Sequence, residues 1–289
     1  MKEYSLKTSL YFILPALIVI LAINIFPIIY AVWISFQNWS LAYVRPPEYT
    51  GFYNYEDALF FDDRFINSVL VSLKFVFLAV LIEFVLGFAL AFLFSQKIKT
   101  LNFLRVVSLT PIMVMPVVSG LIWFYMFNEN FGVLTYIATL IGFDKPGWLT
   151  DPDLALFSIV LADVWQWTPF VMLIFFAALQ SLPEYVYEAA KMDGLNKVQI
   201  FFRITLPLLK PAIWIVLILR IIDSFKMLEL ILMMTKGGPG GYTEVLPWYL
   251  YTTGFITLDI GYGASMAVMM LILITILSQF FVKKIEGKS

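Results

Sequence analysis

Six apolar runs divide this chain, at about residues 9–36, 66–95, 103–127, 155–180, 208–233 and 261–282. Each is long enough to cross a hydrocarbon core about 30 Å thick, which takes about 20 helical residues. In lipid a backbone must satisfy its own N–H and C=O groups, so runs of this length predict helices and not open strands. The fold class expected is all-α: a polytopic membrane protein of six transmembrane helices forming a single domain over residues 1–289. At 61% hydrophobic and 13% charged, the chain is far more apolar than a soluble domain, where roughly 45–50% is usual. Lys2 and Lys7 ahead of the first run imitate a signal peptide, but a signal core spans roughly 7–15 residues and this run is about twice that.

The connections carry the rest of the topology. Residues 37–65 read as a polar loop with Trp39 and Tyr43 placed to anchor at the interface. Pro111 and Pro116 interrupt the third run, which is tolerable only where neighbouring protein satisfies the freed carbonyls, so that span is expected to face the bundle interior. In the loop 128–154, Val133, Leu134, Ile137 and Ile141 have the spacing of a short helix lying on the membrane surface. Segments on the side of the termini (1–8, 96–105, 182–210 and 283–289) hold 12 Lys and Arg, against 4 in the opposite loops. The membrane expected is the cytoplasmic one, and the positive-inside rule puts both termini and the segment 181–207 in the cytoplasm.

Several chemistries are excluded early. With Cys and His both 0, disulfides, thiolate catalysis, imidazole bases and the commonest zinc ligands are absent, and no metal or other cofactor is expected. A net charge of -1 gives no reason to expect nucleic acid. The glycine-rich Lys236–Gly241 is no phosphate cradle, because no lysine and hydroxyl residue follow to open a helix.

One polar island stands between the fourth and fifth runs, SLPEYVYEAAKMDGLNKVQIFFRITLPLLKP from Ser181 to Pro211. Ser181 and Glu184 have capping-box spacing, as do Asn196 and Gln199, and Gly194 supplies the residue that enters left-handed geometry where a helix stops. Pro207 is expected to end the second helix. The product is helix, tight turn, helix, with small Ala189 and Ala190 on the first and bulky Phe201 and Phe202 on the second, a shape for docking and not for catalysis.

Glu188, Ala189, Ala190, Asp193, Gly194, Phe201, Leu206, Pro207 and Pro211 resemble the EAA-loop pattern of permease subunits of ABC importers; Leu195 departs from the Ala usual after the glycine. Phe26–Phe36, Gly147–Pro152, Asp163–Pro169 and Lys236–Glu244, in that order around the loop, are similar to the carbohydrate branch, that of the maltose and glycerol-phosphate permeases. The resemblance implies a type I importer permease of MetI-like fold. Its cytoplasmic coupling helix docks on an ATPase through Glu188, Ala189, Ala190, Asp193, Gly194, Phe201 and Pro207. The implied partners are a second, homologous permease, two ATP-binding cassette subunits that hold the ATP and Mg, an extracytoplasmic solute-binding protein, membrane lipid and a carbohydrate substrate. The implied mechanism is alternating access driven by ATP hydrolysis in those partners, so this subunit is not itself an enzyme.

Ionisable residues inside spans cost several kcal/mol unless paired or watered, so each marks a candidate site. Asp163, Gln166, Trp167 and Phe170 share one face of the fourth span; Arg220, Asp223, Ser224 and Met227 share one face of the fifth. At a rise of 1.5 Å per residue from the cytoplasmic ends, Phe170 lies about 16 Å deep, Arg220 about 18 Å, Trp167 about 21 Å and Asp223 about 22 Å. The two faces can therefore meet and offer carboxylates, an amide and an indole to a sugar, and the resemblance places substrate between these same helices. An interhelical salt bridge of Asp163 or Asp223 with Arg220 or Lys226 is the competing reading. Lys226 and Glu229 are expected near the headgroups, and sequence names no partner for Lys74 or Glu83. Two other functions stay open on the residues alone: an ion-coupled secondary transporter, and an intramembrane enzyme using Asp163 and Asp223 as a dyad.

Overall fold

The computed structural model describes residues 6–43, 45–96 and 99–285, so Lys2, Lys97 and Lys288 of the charge census lie outside the described residues. In chain order the helices are α1 (Leu6–Ile20), α2 (Phe26–Ile34), α3 (Tyr53–Phe60), α4 (Asp63–Phe94), α5 (Lys99–Ser108), α6 (Pro116–Met126), α7 (Val133–Leu140) and α8 (Pro152–Gln180). There follow α9 (Glu184–Met192), α10 (Lys197–Ile200), α11 (Leu206–Leu208), α12 (Lys210–Phe225), α13 (Glu229–Met234), α14 (Leu246–Tyr251) and α15 (Ile260–Ile285). A two-residue ribbon, β1 (Gln37–Asn38) antiparallel to β2 (Glu48–Tyr49), is the one sheet among the described residues.

Four spans are continuous: Tyr11–Ile34, Asp63–Phe94, Pro152–Gln180 and Ile260–Lys284. The other two are broken, and proline is the cause. In the third, Leu101–Met113 and Pro116–Met126 meet at 98°; Met115 is held extended at ψ 138°, as the residue before a proline is. The fifth departs further from expectation. Pro207 lies one residue before the end of the helical stretch Lys197–Leu208, close to the end expected of it. The chain then bends by 61° between Lys197–Leu208 and Lys210–Phe225. The run expected to continue to residue 233 stops at Phe225 and restarts as α13 at Glu229.

Two π-helical turns have the same origin. Leu21–Ile25 precedes Pro27 by two residues and Phe201–Thr205 precedes Pro207 by two. A proline that cannot donate to the carbonyl four residues back leaves the preceding turn free to widen.

The chain divides into two compact units. The first comprises the described residues up to Ile66 together with Leu250–Leu273. Its polar loop is held by Asn54, whose Nδ2 donates to the carbonyls of Ser35 and Gln37 at 2.9 Å each. Asp259 opens α15 by accepting from the Tyr262 N–H at 3.2 Å. Within the 24-residue span Tyr11–Ile34, the most apolar 18 residues have a mean hydropathy of 2.8 and no side chain buried within the chain. That surface is stable only against lipid or another apolar helix.

The second unit, Asn67–Tyr249 with the described residues from Ile274 onward, holds the main core. Ala91, Phe94, Leu101, Val171, Met172, Phe175 and Val216 are buried together. Phe84 and Phe88 meet Phe175 edge-on at 5.2 and 5.1 Å, the geometry the ring quadrupole favours. Helices α4 and α8 approach closely because residue 87 is glycine: a Cβ there would lie 2.6 Å from Val171 Cγ1. This packing sets α4, α8 and α12 side by side around the buried charges.

Candidate functional site

The docking segment is built almost wholly from local backbone bonds. Helix α9 ends at the cap residue Asp193; the Gly194 N–H donates to the Lys191 carbonyl and the Leu195 N–H to the Ala190 carbonyl, both at 3.1 Å. This is a Schellman turn, and it requires the positive φ of +77° found at Gly194. The second helix opens on the expected capping box, Asn196 Oδ1 accepting from the Gln199 N–H and Gln199 Oε1 from the Asn196 N–H, each at 2.9 Å. The box expected at Ser181 does not form. Ser181 remains in the last turn of α8, its hydroxyl donating to the Ala178 carbonyl at 2.8 Å, and Pro183 takes the N-cap position of α9 without a side-chain bond.

Of the residues expected to dock, Glu188, Ala189, Asp193, Gly194 and Pro207 are exposed, whereas Ala190 is buried and Phe201 half-buried. Phe201 packs edge-on against Phe88 and Phe92 of α4, with centroids at 6.0 and 6.2 Å. The Tyr187 hydroxyl meets Thr205 Oγ1 at 3.0 Å, tying α9 to the π-helical turn. The segment is thus fastened to the core on one side and open on the other, where Tyr185 and Met192 are 72% and 87% exposed. Sequence spacing did not single out these last two, although apolar side chains left bare on a polar helix are themselves a signal of a partner.

The second cluster lies inside the span layer, where α4, α8 and α12 meet. Arg220 donates from Nε to Glu83 Oε2 at 2.6 Å and from Nη2 to Glu83 Oε1 at 2.8 Å, a two-pronged pair. The same Nη2 reaches Asp163 Oδ2 at 3.0 Å and Ser224 Oγ at 3.2 Å. The guanidinium carbon stands 4.8 Å from the Trp167 ring centroid, within cation–π range. Arg220, Glu83 and Asp163 are each at most 1% exposed. Asp223 pairs with Lys226 at 3.1 Å in an exposed contact.

Beside the cluster is a cavity of about 260 Å³. Six of the eight residues expected to bind substrate line it: Asp163, Gln166, Trp167, Arg220, Asp223 and Met227. The other two stand behind the wall, Ser224 against Arg220 and Phe170 edge-on to Trp167 at 6.2 Å. Pro116, Lys226, Glu229 and Leu230 complete the cavity's lining. The bend of the third span supplies one more contact: Gln166 Nε2 donates to the Val114 carbonyl at 2.8 Å, the main-chain acceptor released ahead of Pro116.

Glu83, for which sequence named no partner, is the principal partner of Arg220. The signal was present. Counting 1.5 Å per residue from Ser95, Glu83 lies about 18 Å deep, level with Arg220. Asp163 and Asp223 do not form a dyad, since each takes a different cation.

Comparison with known proteins places this geometry. Residues 83–288 match the family described as binding-protein-dependent transport system inner membrane component. The chain is 34% identical over 277 residues to the trehalose/maltose transport system permease protein MalF of Thermococcus litoralis, covering 95% of this chain and 92% of that protein. It is also 34% identical over 278 residues to the sulfoquinovosyl glycerol transport system permease protein SmoG of Agrobacterium fabrum, covering 95% and 89%. Among solved structures it superposes on a bacterial alginate ABC transporter, crystallised with an alginate pentasaccharide-bound periplasmic protein, with a TM-score of 0.82 at 20% identity over 97% of this chain and 95% of that one.

Proposed function

The chain belongs to the family of binding-protein-dependent transport system inner membrane components, and from that premise we propose that it forms half of the passage through which a sugar or related polyhydroxyl solute enters the cell. The observation that carries the substrate reading is the cavity between α8 and α12, where an indole, an amide and carboxylates converge within the span layer. An indole face stacks against sugar C–H groups, while amide and carboxylate oxygens take hydroxyl protons. Two relatives similar along most of the chain are named for trehalose/maltose and for sulfoquinovosyl glycerol transport.

The segment 181–207 is the seat for an ATP-hydrolysing subunit, with both termini and this seat in the cytoplasm. Its bare side chains, Tyr185, Met192, Val198 and Phe202, face the motor, and Phe201 carries displacement into α4. A second permease covers the unburied first span and supplies the other wall of the passage. A solute-binding protein delivers the solute from outside. Closure of the ATPase pair drives the spans from inward-open to outward-open; substrate affinity differs between the two states and hydrolysis sets the direction.

The test is ATP-dependent uptake by the complete complex in proteoliposomes. Vanadate and ATP depletion should abolish uptake, and an uncoupler should leave it intact. Trp167→Ala should lower uptake while leaving assembly with the ATPase intact. Uptake that survives vanadate and collapses with the ion gradient would overturn the reading.

A further inference from the structure

We infer that this chain's half of the substrate site is selective for an uncharged polyhydroxyl solute and turns away solutes bearing a uronate, sulfonate or phosphate. The inference rests on the substrate reading above and goes beyond it, because the relatives and structural neighbours include transporters of both neutral and acidic carbohydrates.

The ground is the state of the cations at the cavity. Among side chains, an anion inside a membrane protein is best held by a cation with free charge and free donors. Arg220 has the charge, but Glu83 grips it with two bonds and Asp163 takes a third. Lys226 is paired with Asp223. With Glu229 on the rim, four carboxyl groups (Glu83, Asp163, Asp223, Glu229) stand against two cations (Arg220, Lys226). If one of the two carboxyls on Arg220 holds a proton, the balance is still negative, so neither protonation state leaves positive charge for a solute.

The free hydrogen-bonding groups point the same way. Two buried atoms on residues that line the cavity have no partner: Arg220 Nη1, a donor, and Gln166 Oε1, an acceptor. A hydroxyl group can donate to Gln166 Oε1 or accept from Arg220 Nη1, whereas a deprotonated acid group accepts only and offers Gln166 Oε1 nothing. Gln166 Oε1 is fixed in that role because its own Nε2 is held by the Val114 carbonyl.

Saturation-transfer NMR on the permease–ATPase complex in nanodiscs, with the solute-binding protein omitted, reads the permease site alone. The probes are maltotriose, trehalose and trimannuronate. At least one neutral probe should be saturated in a manner lost in Trp167→Ala, with trimannuronate silent. Asp223→Asn combined with Glu229→Gln should then raise trimannuronate binding about tenfold, since two like charges are removed from the rim of the site. Trp167-dependent binding of trimannuronate to the unaltered complex, equal to or above that of the neutral probes, overturns the charge selectivity and leaves the substrate site standing. Binding of no probe, or binding that ignores Trp167, overturns the site itself and the selectivity with it.

Discussion

The turn at Gly194 and the ion cluster at Arg220 belong to neighbouring stretches of one chain, yet they are held together in opposite ways. The turn is closed by bonds between residues at most five apart and is open to solvent on its outer side. The cluster joins Arg220 to residues 57 and 137 positions away and is almost wholly buried. A surface that a separate subunit must grip and release has to keep its form when nothing is bound, and short-range backbone bonds provide that. A junction that fixes three spans against one another needs an interaction with no substitute in lipid, and charge provides that. The same change of one residue should therefore impair function at the turn and destroy structure at the cluster.

The sharpest way to break this contrast is Arg220→Ala. It leaves Glu83 and Asp163 buried without a counter-ion, at a cost of about 3–5 kcal/mol. Thermal unfolding of the complex in nanodiscs should begin far lower, or the subunit should fail to accumulate. A melting profile like that of the parent would mean the cluster holds nothing together. Next in size is Gly194→Val. A Cβ at 194 would meet nothing within 4 Å, so the penalty comes from the left-handed backbone alone, about 1–2 kcal/mol, and more for a branched side chain. ATP hydrolysis should persist while uptake per ATP drops about tenfold, the ratio implied by about 1.4 kcal/mol, and the melting profile should shift by no more than a few degrees. Unchanged coupling would count against the turn as a transmission element. Smallest is Asn196→Ala, which removes half of the capping box for about 1 kcal/mol. Uptake should fall a few-fold, with Asn196→Ser restoring most of it; a loss as large as that of Gly194→Val would show that the cap and the turn are one cooperative unit.

Legibility in the sequence follows the same divide. The turn was readable because Gly194, Asn196 and Gln199 act through neighbours in the chain, where spacing is distance. Ser181 misled because a hydroxyl in the last turn of α8 bonds backward to Ala178 as readily as it caps forward. Four spans were readable from length and apolarity, and the third announced its break through Pro111 and Pro116. The interruption after Phe225 was not readable, because residues 226–228 contain neither glycine nor proline; beyond it α13 packs along α6, a helix distant in sequence. The faces of α8 and α12 were found from helical periodicity, but their neighbour α4 was not included, and Glu83 went without its partner. Helix period says which residues share a face. Depth arithmetic across all spans is what matches one face with another.

The Val114 carbonyl gives the cavity an anchor of an unusual sort. Because it belongs to the main chain, no codon change at position 114 can delete it; Ala or Leu there would present the same oxygen to the same amide. Gln166 has no such insurance, and its replacement by Leu strands that oxygen at a stroke. A lineage drifting toward a new solute would thus find position 114 free to wander and position 166 pinned, with the asymmetry set by the break in the main chain ahead of Pro116.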